Sequence, residues 1–213
     1  MTEFDLREQL ITLARSIFMR GYSSGSSGNI SLMLPDQTLL VTPTNSSFGD
    51  LDPNRLSHIT MEGERLSGDL PSKEYPMHLA IYQHRPHTGA IVHLHSHYLT
   101  ALSCLQGLDP KNCLPPLTPY YVMRVGQLPL VPYFRPGDPQ LGEAVGKLAS
   151  RHNAILLANH GVIVCGANIR DAIFNAEELE ETARLYFQLH SMNYNTLNQQ
   201  NVDELTTVFK SAR

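Results

Sequence analysis

His93-Leu94-His95 is the pattern in this chain most able to do chemistry. Alternate residues of a β-strand share a face, so both imidazoles project together while Val92 and Leu94 point the other way. Two histidines preset on one rigid strand make half a site for a borderline cation such as Zn²⁺. The same spacing also occurs on ordinary exposed strands. Here Ile91, Val92 and Leu94 flank it, so burial is expected, and buried imidazoles without partners are costly. His160, between Asn159 and Gly161 in "LLANHGVIV", is expected at the turn of an apolar hairpin. There it can supply a third ligand or merely bond its own backbone. Glu74 in "PSKEYPMH" is expected in the first turn of a helix, where the dipole favours its anion. It is a candidate ligand or acid/base, and equally an ordinary helix-start glutamate. His97 would rival these ligands only if the strand continued to it; it is expected to open the next helix. His84 and His87 bracket a proline and are expected to face solvent.

These side chains need elements to hold them. Leu6, Leu10, Leu13, Ala14 and Ile17 recur at helical spacing, predicting a helix over 3–20 with Gly21 as its stop. "NISLML" and "TLLVTP" read as two strands around a short polar turn, and "TNSSFGDLDPNRLSH" as a loop. Short strand pieces are expected around "MEGERLSGDLPS". A helix is expected over "SKEYPMHLAIYQHRP", with Ser72 as N-cap. "GAIVHLHSH" is a strand running into a helix at "YLTALSCL"; "YVMRV" and "LPLVPY" read as short strands. "GDPQLGEAVGKLASRH" is a helix capped by Asp138 with Pro139 at its first position. "AILLANHGVIVCG" is a strand, tight turn and strand. A long helix is expected from about Ile169 to Met192 and a shorter one from Val202 to Lys210. Mixed helices and paired strands predict an α/β layered fold rather than a doubly wound parallel sheet.

"GYSSGSSGNIS", residues 21–31, resembles a tether by composition. Its position between a helix and a strand argues instead for a built loop. Gly and Ser leave backbone N–H groups unshielded, so an oxyanion can approach Gly28 and Asn29 closely. No Gly-Lys-Ser/Thr follows, which excludes a Walker loop.

Composition narrows the classes. The chain has 213 residues, 42% hydrophobic and 17% charged, which suits a packed globule, read here as a single domain over 1–213. A net charge of −4 without a basic stripe argues against nucleic acid as a partner. No apolar run reaches the length of a membrane span. "MTEFDLREQL" is no secretory signal, and Cys104, Cys113 and Cys165 lack CxxC spacing, so a reduced, cytoplasmic protein is expected.

In order along the chain, "SSGSSGNIS", "LLVTPTN", "LPSKEYPMH", "AIVHLHSHYLTALS" and "LLANHGVIVCG" resemble the class II aldolase/adducin family. The resemblance extends to about the long C-terminal helix. It implies a three-layer α/β/α domain around a mostly antiparallel sheet, and a homotetramer with a divalent metal, commonly zinc, at subunit edges. Carried over residue by residue, it makes His93, His95 and His160 the metal ligands, and Glu74 both acid/base and ligand of the resting metal. Substrate phosphate would be held by Gly28-Asn29, Thr44-Asn45 and Ser72-Lys73. The last pair often reads Ser-Ser in the family, so Lys73 adds a positive charge of open purpose. A catalytic tyrosine falls in "TPYYVM", as Tyr120 or Tyr121, with Tyr120 favoured. "PTNSSFGDLDP", "LHSHYLTALSCL" and "PPLTPYYVMRVG" look most like the branch that decarboxylates 3-oxo-tetronate 4-phosphates in four-carbon acid sugar catabolism.

That branch has a clear logic. Loss of CO₂ from a 3-oxo acid needs the ketone to accept an electron pair. Zn²⁺, or another divalent metal, on the 3-oxo and neighbouring hydroxyl oxygens would stabilise the enediolate, and its protonation gives dihydroxyacetone phosphate. A sugar-phosphate aldolase (L-fuculose-1-phosphate type), an epimerase or a dehydratase could use the same site. A non-catalytic adducin-like protein would be expected to lack the histidines. A zinc hydrolase would not explain the phosphate-type segments.

Overall fold

Residues that alternate between two apolar layers decide the architecture. On the strand Ala90–Leu94 (β5), Ala90, Val92 and Leu94 enter one buried cluster and Ile91 the other. The computed structural model describes residues 2–209. Around β5 lie β1 (Asn29–Met33), β2 (Leu39–Val41), β3 (Ser57–Ile59), β4 (Arg65–Ser67), β6 (Leu130–Val131), β7 (Ala154–Leu157) and β8 (Gly161–Gly166). They form one sheet of eight strands in the order β4-β3-β2-β1-β5-β8-β7-β6. Only the β6–β7 pair is parallel.

Helices α2 (Tyr75–His84) and α5 (Pro139–Ala149) cover one face, packing Met77, Ile81, Leu141 and Val145 on Ile91, Ile155 and Ile163. The other face carries α1 (Glu3–Met19), α3 (His97–Ser103), α4 (Pro119–Arg124) and α6 (Ile169–Leu189). The last described helix, α7 (Gln199–Val208), leans on α4. This is the expected α/β/α layering. Each fully buried Leu, Ile or Val in these layers contributes about 1.5–3 kcal/mol relative to exposure. No helix among the described residues is long and apolar enough to cross a membrane.

Local signals explain most elements. Thr2 and Asp5 form a capping box on α1, Asp138 caps α5, and Asn168 caps α6. Four expectations need correction. "YVMRV" is no strand: Thr118 accepts from Tyr121 N and Pro119 sits at the first helical positions, so a capped turn of α4 overrides β-propensity. Ser72 is not the cap of α2; Glu74 occupies that position, and its side chain makes no capping bond. Ser57 and His58, read as loop, pair with β2 as part of β3. The long helix ends at Leu189, earlier than Met192. The expected end of the last helix at Lys210 lies outside the described residues; α7 is described to Val208.

The Gly/Ser run is folded tightly. Ser23 Oγ donates to Ser27 O at 2.8 Å, and Ser27 Oγ donates to Ser24 O at 2.7 Å. Gly28 has φ +81°, and a Cβ there would lie 2.6 Å from the carbonyl oxygen of His93. The run therefore packs directly on the strand that carries the histidines. Gly28→Ala should lower stability by more than the roughly 1–3 kcal/mol of left-handed strain, because backbone must also shift. Gly21→Ala, with φ +81° but open space, should show strain alone. Urea unfolding compares them; equal losses would contradict the close packing.

Candidate metal centre and active site

The site forms where one end of the sheet meets the start of α2. His93 is the penultimate residue of β5, directly opposite Asn29, the first residue of β1. Facing residues of an antiparallel pair share a side, so both point toward the α2 layer. His95 lies just past the end of β5 and keeps the same parity. His160 occupies the turn between β7 and β8, next to Asn159 at φ +54°. Glu74 arrives from the cap position of α2.

The three imidazoles stand nearly perpendicular to one another. Their ring centroids are 4.8, 4.9 and 4.8 Å apart. His93 Nε2 lies 2.9 Å from His95 Nε2. His93 Nδ1 lies 2.9 Å from the carbonyl of Val162, which can only accept, so Nδ1 carries the proton and Nε2 presents a lone pair to the cluster. Burial pushes His93 down to about 3, against the pull of Glu74; burial and then His160 also push His95 down. Both rings are therefore in the neutral, ligating form.

Glu74 is 6% exposed. Asn29 Nδ2 donates to its Oε2 at 2.9 Å. Oε2 lies 3.4 Å from His93 Nε2, and Oε1 lies 3.3 Å from His160 Nε2. Burial opposes ionisation of Glu74, but His160, His93 and the Asn29 donor together reverse this and hold it well below the usual carboxylate range. Glu74 Oε1 and His160 Nε2 are both buried without a hydrogen bond despite their closeness. Four ligand atoms from Glu74, His93, His95 and His160 thus lie within 4.8 Å of one another. Imidazole nitrogens and an anionic oxygen converging on one point match the donor set that suits Zn²⁺.

A cavity of about 190 Å³ opens above the cluster. Gly28, Asn29, Thr44, Asn45, Ser72 and Lys73 all line it, with Glu74, His95 and His160 at its base. The Thr44 and Ser72 N–H groups are already bonded, to Leu70 O at 2.9 Å and Thr42 O at 3.1 Å. Each keeps a hydroxyl with a proton to give; Ser72 Oγ already accepts from Glu74 N at 3.4 Å. Asn29, expected from its motif as a phosphate contact, uses its amide to hold Glu74.

Other residues escaped sequence reasoning. Ser26, Ser27, Pro43 and Pro136 also line the cavity. The first two belong to the Gly/Ser run, whereas Pro136 comes from a distant loop with no local signal. Beneath Glu74, Ser31 Oγ lies 2.7 Å from His78 Nδ1 and 3.0 Å from Tyr82 Oη, all buried. Burial pushes His78 down to about 4. The spacing of Glu74 and His78, four apart on one helix face, was the available clue. Neither candidate tyrosine, Tyr120 or Tyr121, is among the residues lining the cavity. Tyr121 is fully buried with its hydroxyl donating to Asn112 at 3.2 Å, and burial raises its phenol further out of range. Tyr120 is 61% exposed and is not among the residues lining the cavity of its own chain.

Known proteins agree with this geometry. The model of the class II aldolase and adducin N-terminal domain matches residues 8–187. A 3-oxo-tetronate 4-phosphate decarboxylase from Pectobacterium atrosepticum is 56% identical over 200 residues, covering 94% of this chain and 92% of that one. The L-fuculose phosphate aldolase of Escherichia coli K12 is more distant, at 33% over 183 residues, 85% of this chain and 82% of that one. Among solved structures, YgbL from Klebsiella pneumoniae superposes with a TM-score of 0.95 at 57% identity, covering 96% of this chain and 99% of that one. The chain belongs to the class II aldolase and adducin family.

Proposed function

We propose that the chain decarboxylates a 3-oxo-tetronate 4-phosphate, giving dihydroxyacetone phosphate and CO₂. One observation carries the reading: 56% identity to a 3-oxo-tetronate 4-phosphate decarboxylase over 94% of this chain. The convergence of Glu74, His93, His95 and His160 supports it. Aldolases of this family stand at lower identity.

A divalent ion, zinc by its donor set, would be held by the three imidazoles and Glu74, and would supply Lewis acidity to the 3-oxo group. The remaining work falls to the chain's own groups. The C1–C2 bond breaks and CO₂ leaves, the bond's electron pair becomes the C2–C3 double bond as the carbonyl π pair moves onto the 3-oxo oxygen, and C2 takes up a proton as the ketone re-forms. Glu74 is placed to carry that proton on its carboxylate, with Asn29 steering Oε2. The hydroxyls of Thr44 and Ser72, the N–H groups near Gly28 and Asn45, and the Lys73 ammonium form the phosphate end. Lys73 is assigned to phosphate because a cation paired with the departing carboxylate would stabilise the ground state. Tyr120, exposed and outside its own cavity lining, is proposed to donate a proton in the cavity of a neighbouring copy. Exposed Val208 and Phe209 support assembly into a homo-oligomer, proposed to be a tetramer. Three free cysteines support a reducing, cytoplasmic setting.

Mass-spectrometric analysis of products from four-carbon 3-oxo acid phosphates and ketose phosphates, with zinc present, tests the activity. CO₂ and dihydroxyacetone phosphate are expected from the former; cleavage only of ketose phosphates, with aldehyde released, would replace the proposal by an aldolase. Glu74→Gln should keep the fold and lower kcat at least a hundredfold, the low end of general acid–base contributions of roughly 10²–10⁴. An unchanged kcat would remove Glu74 from the chemistry.

A further inference from the structure

The three histidines are not held alike. His93 sits inside the β5 ladder with Nδ1 tied to Val162. His95 lies beyond the strand, and His160 lies in a turn. What joins the two less constrained ligands is α3. Its cap residue Ser96 follows His95 directly, and its last residue is Ser103. At that far end, Ser103 O accepts from Asn159 N at 3.0 Å, and Ser103 Oγ accepts from His160 N at 3.2 Å. The near end is fixed by a carboxylate from the neighbouring helix, α6. Glu180 accepts from Ser96 Oγ at 2.6 Å, Tyr98 N at 2.8 Å and Leu99 N at 3.0 Å.

We propose that Glu180 and Ser103 are positioning residues for the metal ligands, with α3 as a strut that sets His95 against His160. Glu180 is 5% exposed, and burying a carboxylate is costly unless donors surround it. All of its recorded partners belong to the segment that leaves His95, so its cost is offset only when that segment is in place. Gly161 closes the arrangement: a Cβ there would lie 2.3 Å from Leu94 O and 3.2 Å from the His95 ring. The two ligand segments therefore touch through backbone at one point and are spaced by α3 at the other. Outer partners of this kind orient ligands without touching the ion, and their loss typically lowers metal affinity about 10–100-fold.

The inference rests on the reading of the cluster as a metal centre, and zinc binding by the unaltered protein tests that reading separately. Glu180→Gln presents an amide NH₂ to N–H donors, and Ser103→Ala removes the acceptor for His160 N–H. Each should raise the zinc dissociation constant about 10–100-fold in competition with a chelator. Ser103→Thr should restore affinity by restoring the hydroxyl. Ile173→Val, a core change on the same helix, controls for lost stability, with the zinc-free melting temperature measured alongside. Unaltered protein that binds zinc, with variants that bind it equally well, would overturn the strut. So would a loss in Ile173→Val matching that in Glu180→Gln at equal melting temperature. If Glu180→Gln does not fold, the Ser103→Ala and Ser103→Thr pair decides alone.

Discussion

A carboxylate and three imidazoles converge on one point, and the arrangement of the chain follows from that demand. Glu74 is nearly buried, yet it spends nothing on capping the helix it begins. Its oxygens go instead to Asn29 and toward His93 and His160. Burial pushes His93 and His95 toward the neutral form, which frees their lone pairs. Glu74 Oε1 and His160 Nε2 are buried there without a hydrogen-bond partner. Groups of this kind destabilise a fold unless something completes them.

The sheet makes the convergence cheap. β5 offers His93, His95 follows just past its end with the same parity, and antiparallel β1 brings Asn29 opposite His93. β8 starts at the turn that carries His160 and pairs with β5 on its other edge. The cavity wall from the Gly/Ser run is pressed onto the His93 carbonyl at Gly28. Asn29 and the three histidines thus come from strand ends or a turn, and Glu74 from a helix start; at a strand end a shift of one residue would turn side chains to the other layer.

Much of this was legible in the sequence because it rests on local period and composition. The H-x-H parity, the Asn159-His160-Gly161 turn and the bare backbone around Gly28 are properties of short windows. Their order along the chain identified the family. Long-range polar contacts were not legible. Asn29 reads as a phosphate contact, yet its amide reaches Glu74 across 45 positions. Glu180 reads as one acid on a helix full of them, and its meeting with Ser96 spans 84 positions. "YVMRV" has strand-forming residues, but the Thr118-Pro119 start decides the local conformation. Hydrophobic period speaks for layers, whereas a single buried polar bond leaves no period to read.

Zinc K-edge X-ray absorption of the loaded protein, with and without a phosphorylated 3-oxo acid analogue that cannot decarboxylate, tests the central claim most directly. Three imidazole nitrogens and one carboxylate oxygen are expected at rest. With the analogue, the three nitrogens should persist while the carboxylate gives way to ligand oxygens. Sulfur in the coordination shell, or fewer than three imidazoles, would contradict it.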